Sequence, residues 1–337
     1  MMLTDSFNRA LKDLRISVTD RCNFRCTYCM PLDEYQWIDK KEILTFEEIT
    51  RIAKLFIERG VDKIRLTGGE PLVRQDLHFL IEKLAKLEGL KDLCLTTNGA
   101  LLANQVSALA NAGLRRVNVS IDTLDREKFK RMTKRGDLDK VLEGIFAAKA
   151  AGLAPIKLNA VVERGVNDDD IVPLVEFSRA NGFAMRFIEY MDVGNSNNWT
   201  SAKLVAKKQI IETIHARYPL REIGRDQGSA PSVDYQFVDG EGDIGVIASV
   251  TEPFCSSCTR SRITANGKFV TCLFSEVGHD LKAQLRSGAT DKDIGEFIAK
   301  IWSARSDRYS ADRLAALNSS NYDPKSHKKI EMISLGG

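Results

Sequence analysis

The chain has 337 residues, 43% of them hydrophobic and 28% charged, which is enough to bury the core of one large α/β domain or of one and a half domains. It contains no apolar run of about 18 residues, and its first residues lack the apolar core of a signal sequence, so we expect neither a membrane span nor targeting. The net charge of +3 is too small to predict a nucleic-acid partner.

Short β-rich runs alternate with amphipathic segments along the first 190 residues. One predicted helix begins at Thr45, which forms a capping-box pattern with Glu48, and ends before Gly60. A serial βα pattern predicts a parallel sheet with right-handed crossovers. The predicted strands are Leu14–Thr19, Lys63–Thr67, Leu93–Thr97, Arg116–Ile121, Ile156–Val162 and Ala184–Tyr190.

The βα pattern contains six units and breaks near Gly194, after which we predict a helix around Lys207–Arg217 and a less regular remainder. We therefore predict an incomplete (β/α)6 TIM-type barrel of parallel strands, followed by a cysteine-bearing C-terminal extension. The predicted domains are residues 1–230 and 231–337.

Six of the seven cysteines fall into two tight groups, and the odd total argues against a disulfide framework. We expect reduced thiols in the cytoplasm, used for metal binding. Cys94 stands apart in an apolar run, where a buried cysteine acts as a small hydrophobic residue.

The first group is Cys22-x3-Cys26-x2-Cys29, in the loop after the first strand. Loops at the carboxyl ends of barrel strands build active sites. Three thiolates can hold three irons of a [4Fe–4S] cluster and leave the fourth iron open. The alternative is a zinc site completed by a distant fourth ligand, although no histidine lies nearby in the sequence.

This spacing, with Tyr28 before the last cysteine, resembles the signature of the radical S-adenosylmethionine superfamily. The segment Gly68–Pro71 (GGEP) after the second strand resembles the superfamily motif whose backbone holds the methionine amino group. The resemblance implies that S-adenosylmethionine chelates the open iron and is cleaved to a 5'-deoxyadenosyl radical. The residues it implies for S-adenosylmethionine binding are Tyr28, Gly69, Ser120 and Met191.

The second group is Cys255-x2-Cys258-x13-Cys272. A Cys3His zinc site completed by His279 is the alternative. Arg260 and Arg262 directly after Cys258 place positive charge beside the metal, which a structural zinc does not need. This observation favours a second cluster.

From Leu14 to the last residue, the chain resembles the GTP 3',8-cyclase family. The resemblance implies two [4Fe–4S] clusters, with guanine bound at the open iron of the second, and a lyase reaction that starts molybdenum-cofactor synthesis. It also implies a homodimer and an electron donor such as flavodoxin or ferredoxin.

A triphosphate carries about four negative charges, which suit arginine. Lys63 and Arg65 share one face of their strand, and an inward charge needs a partner; the alternative is a solvated or ion-paired surface. The residues that the resemblance implies for GTP binding are Arg15, Lys63, Arg65, Thr96, Lys157, Arg186, Arg260 and Arg262. Those implied for catalysis are Arg15, Arg260, Arg262, Gly336 and Gly337, the last two in a tail expected to enter the active site.

Two other functions stay open at this point. One is a radical S-adenosylmethionine enzyme with an auxiliary cluster that acts on a peptide or another substrate. The other is a zinc-stabilised binding protein without catalytic activity.

Overall fold

The computed structural model of the protein describes residues 3–30, 32, 34–319 and 322–336. Its strands are β1 (Asp13–Ser17), β2 (Lys63–Thr67), β3 (Asp92–Thr97), β4 (Arg116–Ser120), β5 (Ile156–Val162), β6 (Ala184–Glu189), β7 (Leu220–Gly224), β8 (Val233–Phe237), β9 (Asp243–Ile247), β10 (Arg260–Ile263), β11 (Lys268–Val270) and β12 (His279–Asp280). Its α-helices are α1 (Phe46–Ile57), α2 (Leu77–Ala85), α3 (Val106–Asn111), α4 (Arg126–Thr133), α5 (Leu138–Ala150), α6 (Ile171–Asn181), α7 (Lys207–His215), α8 (Leu281–Arg286), α9 (Asp291–Ser303), α10 (Tyr309–Asn318) and α11 (Met332–Leu335).

All the strands belong to one sheet, in the order β12-β11-β10-β1-β2-β3-β4-β5-β6-β9-β8-β7. The strands from β10 to β9 in this order are parallel, and an antiparallel strand pair extends each end. β9 and β10 do not pair with each other, so the barrel is open. The prediction of an incomplete parallel barrel is confirmed.

Each of the six predicted strands is present, two of them with the predicted bounds and the others with ends that differ by at most two residues. The sequence did not predict that β9 and β10 join the parallel set at its two ends. The predicted boundary at residue 230 lies between the paired strands β7 and β8, and the division into two domains stays a prediction.

Helix α1 shows how the helices cover the outside of the sheet. The Thr45 side chain accepts a hydrogen bond from the Glu48 backbone, and the Glu48 side chain accepts one from the Thr45 backbone. Buried Ile49, Ile52 and Phe56 lie along the face that packs on the sheet. The capping box fixes where the helix begins, and the apolar face fixes how it packs.

Successive side chains of β1 point alternately to the hydrophobic core and to the barrel interior. Leu14 and Ile16 are buried in the hydrophobic core, whereas Arg15 lines the interior cavity. Successive side chains of a strand point to opposite faces, so each barrel strand supplies the core and the cavity in turn.

β1 pairs in parallel with both β2 and β10. The Thr259 hydroxyl donates to the Asp13 carboxylate at 2.9 Å across 246 residues of sequence. This pairing brings Cys255 and Cys258 of the second cysteine group, which precede β10, close to the strand that leads into the first group. Among the described helices, none has the length and apolar character needed to cross a membrane.

Candidate active site

The interior of the barrel forms a large cavity that opens to solvent. Every described residue that the sequence predicted for metal, S-adenosylmethionine or GTP lines it. These are Arg15, Cys22, Cys26, Tyr28, Cys29, Lys63, Arg65, Gly69, Thr96, Ser120, Lys157, Arg186, Met191, Cys255, Cys258, Arg260, Arg262 and Cys272. Gly336 contacts the wall of this cavity, and Gly337 lies outside the described residues.

The two glycines of the GGEP segment pack directly on the start of the first cysteine loop. Gly69 N donates to Thr19 O at 2.8 Å. A Cβ on Gly69 would lie 2.4 Å from Arg21 O, and one on Gly68 would lie 2.6 Å from Thr19 O. Only glycine permits this approach of backbone to backbone.

Glu70, the third residue of the GGEP segment, connects this segment to the end of β3. Its buried carboxylate accepts hydrogen bonds from Leu72 N at 2.9 Å, Thr97 Oγ1 at 2.7 Å and Asn98 N at 2.7 Å. Burial raises the pKa of Glu70 to about 7 in spite of these bonds. The carboxylate therefore fixes the GGEP segment at the end of β3, while Glu70 N donates to Arg21 O of the cysteine loop at 2.8 Å.

The thiols of the first group are hard to ionise in the metal-free chain. Burial is the main cause that raises the pKa of Cys22 to about 11 and that of Cys29 to about 12. The pKa of Cys26 is also raised, chiefly by burial and then by Cys29. Iron binding must therefore displace protons, since thiolates are the ligands of metal clusters.

Tyr28, between two of these cysteines, is held by a buried carboxylate that the sequence analysis missed. Its hydroxyl donates to Asp122 Oδ2 at 2.7 Å, and Val161 N donates to Asp122 Oδ1 at 2.9 Å. Burial raises the pKa of Asp122 to about 6. The hydrogen bonds fix the aromatic ring at the wall of the cavity.

The second cysteine group lies in a positively charged setting. Cys258 Sγ accepts from Arg260 at 3.0 Å and from Arg305 at 3.3 Å, and Arg9 donates to Cys255 O at 2.9 Å. Burial raises the pKa of Cys258, but the charges of Arg260 and Arg305 outweigh it and lower the pKa to about 6. Arg305 is far from the cysteines in sequence, so no local pattern could have identified it.

The histidine considered for a Cys3His zinc site is elsewhere. His279 is exposed in β12 and is not among the residues that line the cavity. Among the described residues, no three His, Cys, Asp or Glu side chains are grouped to hold a single metal ion. A [4Fe–4S] cluster needs another arrangement, because each thiolate binds its own iron. Three thiols facing one cavity supply that donor set in each group.

Three arginines from adjacent strands form a row between the two cysteine groups. Arg262 of β10, Arg15 of β1 and Arg65 of β2 are in register, and neighbouring strands lie about 4.8 Å apart. Burial and the charges of Arg262, Arg65 and Arg260 lower the pKa of Arg15 well below its usual range. Like charges held side by side are unfavourable unless an anion joins them.

The remaining predicted cations differ in their partners. Lys63 lies 3.5 Å from Asp92, and Arg186 lies 3.1 Å from both Asp234 and Asp243. Lys63 and Arg186 therefore form ion pairs with carboxylates of the chain, as the alternative interpretation of these cations expected. Burial and then the charge of Arg186 lower the pKa of Lys157 to about 8.

Asn118 is a cavity residue that the sequence analysis missed. It lies in register between Thr96 and Lys157. Its side chain is buried, and its Oδ1 atom has no hydrogen-bond partner among the described residues. A buried acceptor without a partner next to predicted substrate residues is suited to a ligand hydrogen bond.

The C-terminal tail reaches the cavity wall at Gly336. Arg262 donates to Gly336 O at 3.0 Å. A Cβ on Gly336 would lie 2.6 Å from the Thr67 side chain and 2.8 Å from Gly68 N, and the φ of Gly336 is 69°. Both the conformation and the space at this point require glycine.

Asp192 anchors the segment that leads to this tail. Its buried carboxylate accepts from Lys329 Nζ at 2.8 Å and from the Tyr309 hydroxyl at 2.6 Å. Arg313 and Tyr322 also donate to it. These donors outweigh the effect of burial and hold the pKa of Asp192 well below its usual range. One carboxylate therefore joins the loop after β6 to α10 and to the tail.

Comparisons with known proteins agree with this geometry. The model of the radical SAM superfamily matches residues 16–178, and that of Molybdenum Cofactor Synthesis C matches residues 183–311. The structure of Streptococcus suis SuiB bound to the precursor peptide SuiA has a TM-score of 0.63 at 17% identity, over 91% of this chain and 68% of that one. The fold and the site define a radical S-adenosylmethionine enzyme, a class that uses a [4Fe–4S] cluster and S-adenosylmethionine.

Sequence relatives identify the family within this class. The chain is 49% identical to the GTP 3',8-cyclase of Acidothermus cellulolyticus, over 99% of both chains. It is 43% identical to the GTP 3',8-cyclase of Staphylococcus saprophyticus, again over 99% of both. The chain belongs to the GTP 3',8-cyclase family.

The position of Gly336 predicts the effect of a single methyl group. In Gly336→Ala, the left-handed conformation costs about 1–2 kcal/mol and the clash with Thr67 adds to it. We expect turnover to fall at least about tenfold, with iron content unchanged. Gly182→Ala is the control, because φ is 68° there but no atom lies within 4 Å of the added carbon. Equal turnover in Gly336→Ala and the unchanged chain would show that the docked tail is not needed.

The Asp192 contacts predict a second outcome. Asp192→Asn leaves two buried cations without their carboxylate, and breaking such a pair typically costs about 3–5 kcal/mol. We expect faster hydrogen exchange and faster proteolysis in residues 322–336 of the metal-free chain. Asp323→Asn changes an exposed acid of the same segment and should leave both rates unchanged. Similar protection in the two variants would contradict an anchoring role for Asp192.

Proposed function

We propose that the protein converts GTP to (8S)-3',8-cyclo-7,8-dihydroguanosine 5'-triphosphate, the first step of molybdenum-cofactor biosynthesis. The observation that carries the proposal is the row formed by Arg15, Arg65 and Arg262, between two cysteine triads on one cavity wall. A triphosphate supplies the negative charge that this row lacks. Membership of the GTP 3',8-cyclase family supports the same substrate.

The first triad, Cys22, Cys26 and Cys29, would hold a [4Fe–4S] cluster with one iron open to S-adenosylmethionine. Bound there, S-adenosylmethionine supplies a 5'-deoxyadenosyl radical on one-electron reduction. We propose that the Gly69 backbone, the Tyr28 ring, Ser120 and Met191 position this cofactor, since they line the cavity around the cysteine loop. The walls of the cavity would keep competing hydrogen donors away.

The second triad, Cys255, Cys258 and Cys272, would hold a second [4Fe–4S] cluster whose open iron binds the guanine base. Its support is the low pKa of the Cys258 thiol, which favours the thiolate that a cluster needs. The guanidinium groups of Arg260 and Arg305 would then neutralise part of the negative charge that the thiolates and sulfides bring.

The chain's cations would hold GTP across the cavity. Arg15, Arg65 and Arg262 are placed for phosphate oxygens, with Lys63, Lys157, Arg186, Arg260 and Thr96 around them. GTP then loses the C3' hydrogen atom of its ribose to the radical, and a C3'–C8 bond forms as the C8–N7 double bond opens. One electron and one proton complete the product. Gly336 and Gly337 would close the cavity from the tail side.

Three further parts of the proposal concern the setting of the enzyme. We propose a cytoplasmic homodimer that receives electrons from a carrier such as flavodoxin or ferredoxin. The support is the family membership together with seven free cysteines, which suit a reducing compartment. Sedimentation of the reconstituted protein tests the dimer.

An anaerobic assay of the reconstituted protein with GTP, S-adenosylmethionine and dithionite tests the reaction. We expect about eight iron and eight sulfide per chain, 5'-deoxyadenosine that forms only with GTP, and a cyclised product by mass spectrometry. Deuterium at C3' of GTP should appear in 5'-deoxyadenosine. Deuterium transfer from another ribose position would refute the mechanism. Deoxyadenosine without any change in GTP would favour another substrate, such as a peptide.

The pKa of Lys157 predicts how GTP binding depends on pH. Only the protonated amine attracts phosphate, and in the free chain this form is lost as pH rises through about 8. We therefore expect the Kd for GTP to be constant below pH 7 and to rise above pH 8, by up to about tenfold per pH unit. Lys157→Arg should remove this rise, because a guanidinium stays charged. Isothermal titration calorimetry at several pH values measures the Kd for GTP of both proteins. If the Kd of Lys157→Arg rises with pH as steeply as that of the unchanged chain, Lys157 is not the cause of the rise.

A further inference from the structure

The first residues of the chain pack against the second cysteine group. An isolated antiparallel bridge joins Thr4 to Ala10 and closes residues 3–12 into a turn, which we call the N-terminal arm. Lys12 N donates to Thr259 O at 3.1 Å, next to the second cysteine of that group. The arm precedes residue 16, where the match to the radical SAM family model begins, so that match assigns no role to it.

Arg9 connects the arm to two segments that are distant in sequence. Its side chain is buried. Its Nη1 atom donates to Cys255 O at 2.9 Å and to Asp307 O at 2.8 Å, and its Nε atom donates to the Asp5 carboxylate at 2.6 Å. The remaining nitrogen, Nη2, is also buried and has no hydrogen-bond partner among the described residues. Because Arg9 lines the cavity together with the three thiols of the second group, this atom is a donor for a group bound there.

Arg305, which follows α9, contacts the same cysteine group. It is buried as well. Its Nη1 atom donates to Cys258 O at 2.9 Å, and its Nη2 atom donates to Cys258 Sγ at 3.3 Å. The arm holds this residue in place, because the Ser6 hydroxyl donates to Arg305 O at 2.6 Å. Arg305 therefore already makes one hydrogen bond to a sulfur atom of the group.

One carboxylate holds both arginines at the second cysteine group. Asp5 accepts from Arg9 Nε and, at 3.5 Å, from Arg305 Nη1. Arg305 Nε also donates to Asp307 Oδ2 at 3.2 Å. Since Asp5 and the two arginines are buried, water does not compete for these hydrogen bonds. The arginines therefore present fixed donors, and carboxylates of the chain compensate their charges.

We propose that Arg9 and Arg305 donate hydrogen bonds to sulfur atoms of the second cluster and thereby raise its reduction potential. This inference rests on the proposed function, which places a [4Fe–4S] cluster at Cys255, Cys258 and Cys272. A reduced cluster carries one more negative charge than an oxidised one, and a cationic donor stabilises the more negative state more strongly. The N-terminal arm is then part of the metal site, with Asp5 as a positioning residue.

The alternative explanation of this network is structural. Arg9 and Arg305 could serve only to join the N-terminal arm to the segment after α9. Loss of such a contact lowers the stability or the iron content of the protein. It does not change the potential of a cluster that is still bound, because that potential depends on charge and on hydrogen bonds at the sulfur atoms.

A redox titration of the second cluster separates these roles. In the full-length parent protein, Cys22, Cys26 and Cys29 are replaced by serine, so that only the second triad is left. The reconstituted protein is titrated with dithionite, and electron paramagnetic resonance measures the reduced fraction of the cluster.

For Arg305→Gln in this parent, we expect the ratio of reduced to oxidised cluster at the parent's midpoint potential to fall about tenfold. This is a shift of about 59 mV to more negative potential for one electron. Arg305→Lys should shift the midpoint less, because the ammonium group retains the charge and can still donate.

The role of Arg9 is tested with a paired substitution. Arg9→Gln alone would leave the buried Asp5 with one cation fewer, so Asp5→Asn is made in the same chain. The two changes remove one positive and one negative charge together. We expect the midpoint potential to become more negative in this double variant as well, with the iron content of the parent.

The matched control is Arg59→Gln. Arg59 is another arginine that joins two backbone carbonyls, since it donates to Gly295 O and to Leu55 O, both at 2.7 Å. It is not among the residues that line the cavity. We expect the midpoint potential of this variant to equal that of the parent. A shift as large as that of Arg305→Gln would overturn the proposal in favour of a net-charge effect.

Two other outcomes would also overturn it. If iron stays bound and the midpoint is unchanged in Arg305→Gln and in the double variant, the arginines have the structural role alone. If the parent protein binds no iron–sulfur cluster at its remaining triad, the proposed second cluster fails and this inference fails with it. The iron and sulfide content of the parent distinguishes these two results before any titration.

Discussion

The parallel pairing of β1 with β10 is the contact on which the rest of the site depends. It places Arg262 beside Arg15 and brings Cys255 and Cys258 to the wall that also carries the first cysteine loop. The six βα units alone would form one wall of the cavity and would carry only the first cysteine group. The return of the chain to its first strand places the second cysteine group in the same cavity as the first.

The structure buries charge in two different ways. Around Asp192, two cations and two hydroxyls converge on one carboxylate, so the charges are compensated within the chain. Along the row of Arg15, Arg65 and Arg262, the nearby cations lower the pKa of Arg15 more than Asp13 raises it. The first arrangement is compensated by residues of the chain, whereas under the proposed function the second would be compensated by the phosphates of GTP. Whether a buried charge is compensated within the chain therefore distinguishes structural residues from candidate binding residues more clearly than solvent exposure does.

Local sequence patterns predicted the local features. The six strands follow from apolar runs and turn residues, and both triads lie within short segments. The contacts of Arg305 with Cys258 and of Lys329 with Asp192 span 47 and 137 residues, so no periodicity or spacing could reveal them. β10 itself reads Arg-Ser-Arg-Ile, a polar segment that becomes a strand only because β1 offers it an edge. The sequence analysis missed Asn118 because nothing in the sequence shows that this strand residue is buried with an Oδ1 atom that lacks a hydrogen-bond partner.

The pairing of β1 with β10 also has a consequence for how the protein is made. A ribosome releases β1 about 250 residues before the strand that covers its outer edge. For that interval the nascent chain presents an unpaired edge strand, the kind of surface on which chains aggregate. Translation that stops before β10 therefore leaves a fragment whose first strand has an unpaired edge, which makes the fragment prone to aggregate.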